Sequence, residues 1–139
     1  MTTADCIFCK IVAGDIPAAL IYEDDHVLAF LDIGPLSNGH SLVIPKHHVA
    51  TVIDCPPDVL SQVAAVLGRI AQAVVAVTGC EGYNVLCNNG RAAGQLVDHL
   101  HFHIIPRMTG DEILKGWPAG QYPEGKMTNL AEQIKAMMK

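Results

Sequence analysis

The chain has 139 residues, half of them hydrophobic and 17% charged, with a formal charge of -5. That size and balance suit one compact domain spanning residues 1–139, and they exclude a disordered chain. No run of basic residues occurs, which excludes a broad nucleic-acid surface, because such binding needs Lys and Arg to neutralise phosphates; one small phosphate stays within reach of backbone N–H groups.

Met1-Thr2-Thr3-Ala4-Asp5 lacks the basic and apolar regions of a signal peptide, and no apolar stretch reads as long enough to span a membrane. Five cysteines without a secretion signal argue against a disulfide framework, so the expected compartment is the reducing cytoplasm. Residues 5–12 read as a short helix ended by Gly14. Residues 18–22 and 26–32 read as two strands split by the Glu23-Asp24-Asp25 turn. Residues 33–39 are a loop rich in Gly, Pro, Ser and Asn, and 40–45 read as a further strand.

The clearest helix follows Pro56-Pro57-Asp58. Leu60, Val63, Leu67, Ile70, Val74 and Val77 recur at steps of three and four, which makes one apolar helical face, and Gly79 ends it. Residues 83–88 predict a strand, 89–95 a turn and 96–105 another strand. The tail, 109–126, is rich in Gly and Pro and carries Trp117; a last helix is expected over 127–138. Cys55, Cys80 and Cys87 stand singly and read as small core residues. Strands meeting through short turns, with helices set apart, predict an antiparallel α+β domain. No Rossmann or P-loop fingerprint occurs.

The most informative segment is His99-Leu100-His101-Phe102-His103-Ile104-Ile105. On a strand, His99, His101 and His103 share one face and Leu100, Phe102 and Ile104 the other. Neutral imidazole is a good nucleophile at phosphorus and a good leaving group afterwards, and a protonated neighbour can stabilise phosphoryl charge or donate a proton to the departing group. The same row reads alternatively as a metal site, since His is the commonest metal ligand, or as a wet strand face.

This segment resembles the histidine-triad (HIT) family, whose pattern is His-φ-His-φ-His-φ-φ with φ apolar. Cys6-Ile7-Phe8-Cys9-Lys10-Ile11, Gly14-Asp15-Ile16-Pro17, Ala29-Phe30-Leu31-Asp32-Ile33 and Gly39-His40-Ser41-Leu42-Val43-Ile44-Pro45-Lys46 are similar to segments of its Hint branch. The resemblance implies a five-stranded antiparallel sheet with one long helix and short N- and C-terminal helices, continued across a homodimer. It implies that His101 attacks the α-phosphorus of a purine nucleotide, that His103 meets phosphate and leaving group, that His99 buttresses His101, and that His40 joins them. Asp32 would hold the ribose hydroxyls, and Ile7, Phe8, Ile11 and Leu31 a wall for the base. Asn88, Gly94 and Gln95 would meet the phosphate, although Asn89-Gly90 alone is equally a hairpin turn. Where many Hint-branch members carry Ser or Thr, this chain has Leu96: the hydroxyl is lost and the backbone N–H kept.

Cys6-x-x-Cys9 alone reads equally as a redox pair or two buried cysteines. The resemblance adds His48 and His99 to it, giving the four ligands of a structural zinc site. The implied activity is hydrolysis of nucleoside 5'-phosphoramidates. The alternatives are a dinucleoside polyphosphate hydrolase and, from another class, a nucleotide-binding module with negligible turnover. The Trp117 tail reads either as a plain surface loop or as an arm reaching a partner's site.

Overall fold

A computed structural model describes residues 3–139; Met1 and Thr2, part of the N-terminal stretch read above for a targeting signal, lie outside the described residues. In chain order come a 3-10 turn (Thr3–Asp5), α1 (Ile7–Val12), β1 (Leu20–Glu23), β2 (Val27–Leu31), β3 (Ser41–Pro45), α2 (Pro57–Thr78), β4 (Gly82–Leu86), a 3-10 turn (Arg91–Ala93), β5 (Phe102–Arg107) and α3 (Lys126–Met137). The five strands form one sheet in the order β1-β2-β3-β5-β4, with every neighbouring pair antiparallel. The expected α+β fold is therefore present.

The alternation of side chains along each strand divides the apolar residues between two faces. Val27, Ala29, Val43 and Ile104 pack against Val63, Ile70, Ala71 and Val74 of α2. Leu28, Phe30, Leu42 and Ile44 pack on the opposite face against Cys6 and Phe8 of the α1 segment. The sheet thus lies between the long helix and the short one. Contrary to the sequence reading, α2 is long and apolar enough to cross a membrane by length and composition. It serves instead as the core helix, with its Val63-Ile70-Val74 stripe buried on the sheet.

Two corrections concern single residues. Cys55 is buried as expected, but Cys80 and Cys87 are only half-buried. Leu31 does not join Ile7 and Phe8, because its place on β2 turns it toward α2, where it lines a cavity with Ile70 and Val74. Phe30 takes that position and meets Phe8 edge to face at 5.4 Å.

The turn before β3 explains how His40 is placed. Gly39 has φ +87°, and a Cβ there would stand 2.5 Å from Thr78 Cγ2. Only glycine lets the loop lie this close to the end of α2. Ser37 Oγ donates to the Pro106 carbonyl, and Asp32 N–H donates to the His40 carbonyl at 2.9 Å, so the loop returns at a fixed position.

Candidate active site

The histidine row departs from the expected geometry. β5 begins at Phe102, not at Leu96, and residues 97–101 are irregular. β5 pairs with β3 only from Phe102 to Ile104, and just before it Leu100 N–H turns to the Val49 carbonyl at 2.7 Å. Without a strand, alternation no longer governs position 99. His101 and His103 stay side by side, with ring centroids 5.0 Å apart. The His99 ring goes elsewhere.

His99 is fully buried and faces Cys6, Cys9 and His48. Its Nε2–H donates to the Pro45 carbonyl at 2.8 Å, which leaves Nδ1 bare. That Nδ1 lies 3.4 Å from Cys6 Sγ, 3.6 Å from Cys9 Sγ and 3.2 Å from His48 Nδ1; Cys9 Sγ is 3.3 Å from His48 Nδ1. A tetrahedron with bonds of about 2.3 Å to sulfur and about 2.05 Å to nitrogen has edges of about 3.5 Å (S–N) and about 3.3 Å (N–N). These four separations lie close to those edges, and two thiols with two imidazoles make a donor set suited to zinc. The described residues therefore form a cluster able to hold a metal. The Cys9 N–H donates to Cys6 Sγ at 3.4 Å, capping α1 and orienting the first ligand. Burial holds the His99 imidazole neutral, with its pKa down to about 4.

The tautomers of the histidines follow from backbone groups whose roles cannot change. A carbonyl only accepts, so His101 Nδ1 must carry the proton it gives to the His99 carbonyl at 2.7 Å. In the neutral ring, Nε2 then holds the lone pair. Phe8 packs edge to face on the same ring at 5.2 Å and fixes its plane.

His40 is set in the same way. The Leu36 N–H donates to His40 Nδ1 at 3.0 Å, so a neutral His40 carries its proton on Nε2 and donates to His103 Nδ1 at 2.8 Å. His103 must then carry its proton on Nε2. That atom is buried and has no partner among the described residues. Such an orphaned donor is costly unless a ligand accepts from it. Both rings are kept neutral: burial lowers the pKa of His40, and burial, then His101 and His40 as neighbours, bring His103 down to about 4. Asp32 opposes both shifts, with Oδ2 3.6 Å from His40 Nε2; its Oδ1 accepts the Gly34 N–H at 2.9 Å.

The connection between β4 and β5 brings up the remaining candidates. Asn88 is half-buried, and its Nδ2 would be 3.5 Å from a Cβ at Gly94, whose φ is +93°. Gln95 is buried with its amide on backbone groups, whereas Leu96 is 80% exposed. Trp117 is almost wholly exposed. The sequence contained no signal for the Leu36 N–H or the Pro45 carbonyl, since a backbone group's role depends only on where the chain passes.

Against known proteins, the HIT domain matches residues 13–110. The adenosine 5'-monophosphoramidase hnt1 of Schizosaccharomyces pombe is 44% identical over 135 residues, covering 96% of this chain and 98% of that protein. Among solved structures, one from Streptococcus mutans UA159 is similar with a TM-score of 0.94 at 40% identity, over 99% of this chain and 88% of that one. A Zn-bound histidine triad family protein from Mycobacterium smegmatis has a TM-score of 0.76 at 39% identity, over 97% of this chain and 99% of that one. With its domain matched over most of its length and relatives alike from end to end, the chain belongs to the histidine triad family.

Proposed function

We propose that this protein hydrolyses nucleoside 5'-phosphoramidates, or related nucleotides, at the α-phosphorus through a covalent nucleotidyl-His101 intermediate. The observation that carries this reading is the pairing of two opposite functions on adjacent rings: a lone pair at Nε2 of neutral His101 and an N–H at His103 Nε2 without a partner among the described residues. A phosphoryl group satisfies both, offering an electrophilic phosphorus to the first and an oxygen to the second. The Nε2 lone pair forms the N–P bond as the bond from phosphorus to the leaving group breaks. The departing amine takes its proton from solvent, while the His103 Nε2–H, part of a neutral pair with no proton to spare, stays on a phosphoryl oxygen. Water then attacks the phosphorus and gives a proton to solvent as the N–P bond breaks, which frees His101 and releases the nucleoside monophosphate.

Asp32 in this reading accepts hydrogen bonds from the ribose hydroxyls, since a carboxylate offers only acceptors. The turn 88–95 lies along the phosphate, and the substrate is of the purine AMP or GMP type. The S. pombe relative's name, an adenosine 5'-monophosphoramidase, supports the choice of substrate class. The Cys6-Cys9-His48-His99 cluster holds a structural zinc, as its donor set favours and as the M. smegmatis relative is described. Zinc, when bound, supplies a cross-link that offsets the charge of two thiolates. His99 then ties the α1 segment to the loop carrying His101, and its carbonyl keeps the nucleophile in one tautomer.

We further propose a cytoplasmic homodimer. The outward face of α2 carries the small residues Ala64 and Gly68, and β4 is an outermost strand with Tyr83 and Val85 exposed. Both features suit a helix pairing and a sheet continued across two copies. Sedimentation at micromolar concentration should give twice the chain mass; a monomer would end this part.

The direct experiment mixes the protein briefly with adenosine phosphoramidate, quenches it and reads peptide masses. An adenylate on the peptide containing His101, absent in His101→Ala, is the expected result. Turnover without any such adduct under rapid quench, or retained turnover in His101→Ala, would refute the mechanism. Diadenosine polyphosphates assayed in parallel decide the runner-up substrate class.

A further inference from the structure

The family pattern places Gln95 on the phosphate. Its side chain is only 3% exposed, and its amide is already committed. Oε1 accepts the Gly90 N–H at 2.8 Å, while Nε2 donates to the Ala50 carbonyl at 2.7 Å and the Val97 carbonyl at 3.0 Å. A primary amide has two N–H donors, and both are used. The main-chain N–H of Gln95 also turns inward, to the Gly90 carbonyl at 3.1 Å.

The three backbone partners belong to three stretches with different tasks. Gly90 opens the turn that contains Gly94. Ala50 lies two residues after His48, a member of the metal cluster. Val97 lies two residues before His99. A parallel link runs from Leu100 N–H to the Val49 carbonyl at 2.7 Å. Gln95 is thus the one side chain among those described that joins the turn 88–95, the His48 loop and the approach to His101 by hydrogen bonds. Outside the clasp, Arg91 Nη1 reaches the carbonyls of Gln95 and Leu96 and braces the same turn.

We propose that Gln95 is a positioning residue: an amide clasp that keeps the turn 88–95 in register with the metal-ligand loop 46–50, without touching substrate. The inference rests on the reading of that turn as the phosphate cradle. Through the clasp, the placement of the phosphate donors and the placement of His48 become one structural variable. Loosening either end loosens the other, because the carbonyls of Ala50 and Val97 lose their donors together.

The test uses the purified full-length protein and the variants Gln95→Met and Gln95→Glu. Met fills the space without either hydrogen-bonding function; Glu keeps an acceptor for Gly90 but gives up the donors to Ala50 and Val97. Hydrogen exchange by mass spectrometry reads the two loops, and steady-state kinetics read the consequence. In Gln95→Met, residues 46–52 and 88–97 should exchange at least about tenfold faster together, and KM should rise about tenfold with a smaller change in kcat, the pattern of lost substrate binding rather than lost chemistry. Gln95→Glu should loosen 46–52 more than 88–94; if its buried charge prevents folding, Gln95→Met alone decides. A fall in kcat of a hundredfold or more with exchange in 46–52 unchanged would make Gln95 a substrate contact and overturn the proposal. Faster exchange with unaltered KM would reduce it to a purely structural residue, which also overturns it. A wild type that turns over no nucleotide would refute the phosphate reading instead, and the exchange of the two loops would still decide whether the clasp exists.

Discussion

The carbonyl of His99 accepts the Nδ1–H of His101 at 2.7 Å while the ring of His99 faces the opposite way, into Cys6, Cys9 and His48. One residue therefore bears on two groups of side chains, the Cys6-Cys9-His48 cluster by its ring and His101 by its backbone carbonyl. Cys9→Ser keeps the size of the side chain but removes a good zinc ligand. The expected result is loss of most bound zinc by metal analysis and a melting temperature lower by roughly 10 °C, as for a loss of a few kcal/mol in a domain this size. The rate should fall less than in His101→Ala, because the His99 carbonyl remains. A variant that keeps full zinc and the wild-type melting point would show that the cluster does not hold the metal.

The buried imidazoles predict how stability depends on pH. His103 has a pKa near 4 in the fold, pushed down by burial and by His101 and His40, against its ordinary value of 6.5, and His40 is lowered by burial. Asp32 is the acid that faces both rings and opposes the shift. The unfolded chain takes up protons that the native rings refuse, so stability is fully present above about pH 6.5 and is lost as pH falls toward 4. The melting temperature of the wild type should decline through that window. His103→Asn should flatten the decline, and an unchanged slope would contradict the assigned neutral state.

Much of the fold was legible because its signals are local. The three-and-four spacing from Leu60 to Val77 marked α2, which runs from Pro57 to Thr78, and the predicted strand at 26–32 is found at Val27–Leu31. The failure at His99 has a definite cause. Alternation assigns faces only where a strand is paired, and pairing starts at Phe102. Nothing in the sequence around position 99 shows that the partner strand is absent there. The hydrogen bonds of Gln95 were hidden for a related reason: an amide beside a glycine turn fits a phosphate contact as well as a clasp, and its partner Ala50 is 45 residues away in sequence. The His40–His103 hydrogen bond spans 63 positions, so only the resemblance to a family could suggest it.

Asp32 stands at the end of β2 with one carboxylate oxygen on the Gly34 N–H and the other toward His40. If it also receives the ribose, discrimination between ribonucleotides and 2'-deoxyribonucleotides should depend on it. Asp32→Asn replaces one acceptor with a donor. The preference for the ribose substrate, measured as the ratio of kcat/KM values, should shrink about tenfold or more in the variant, the size of a hydrogen bond to a charged group. A ratio unchanged by the substitution would move the ribose away from this carboxylate and leave Asp32 as a support for His40 alone.

Leu96 is the departure from the family pattern that the structure makes easiest to reverse. Its side chain is 80% exposed, so its replacement removes little from the core and should leave the melting temperature within a degree or two. Its carbonyl is held by Arg91 Nη1 at 2.7 Å, which keeps the backbone of the turn in place when the side chain changes. Leu96→Ser would add a hydroxyl where many Hint-branch members carry one. If that hydroxyl reaches the phosphate as charge develops on its oxygens, kcat/KM for a phosphoramidate should rise by about tenfold, since such a hydrogen bond counts most in the transition state. Leu96→Val separates chemistry from bulk, because it trims the side chain without supplying a donor and should leave the rate near wild type. Equal gains in Ser and Val variants would mean that Leu96 obstructs the leaving group, and no gain in either would place position 96 outside the reach of the phosphate.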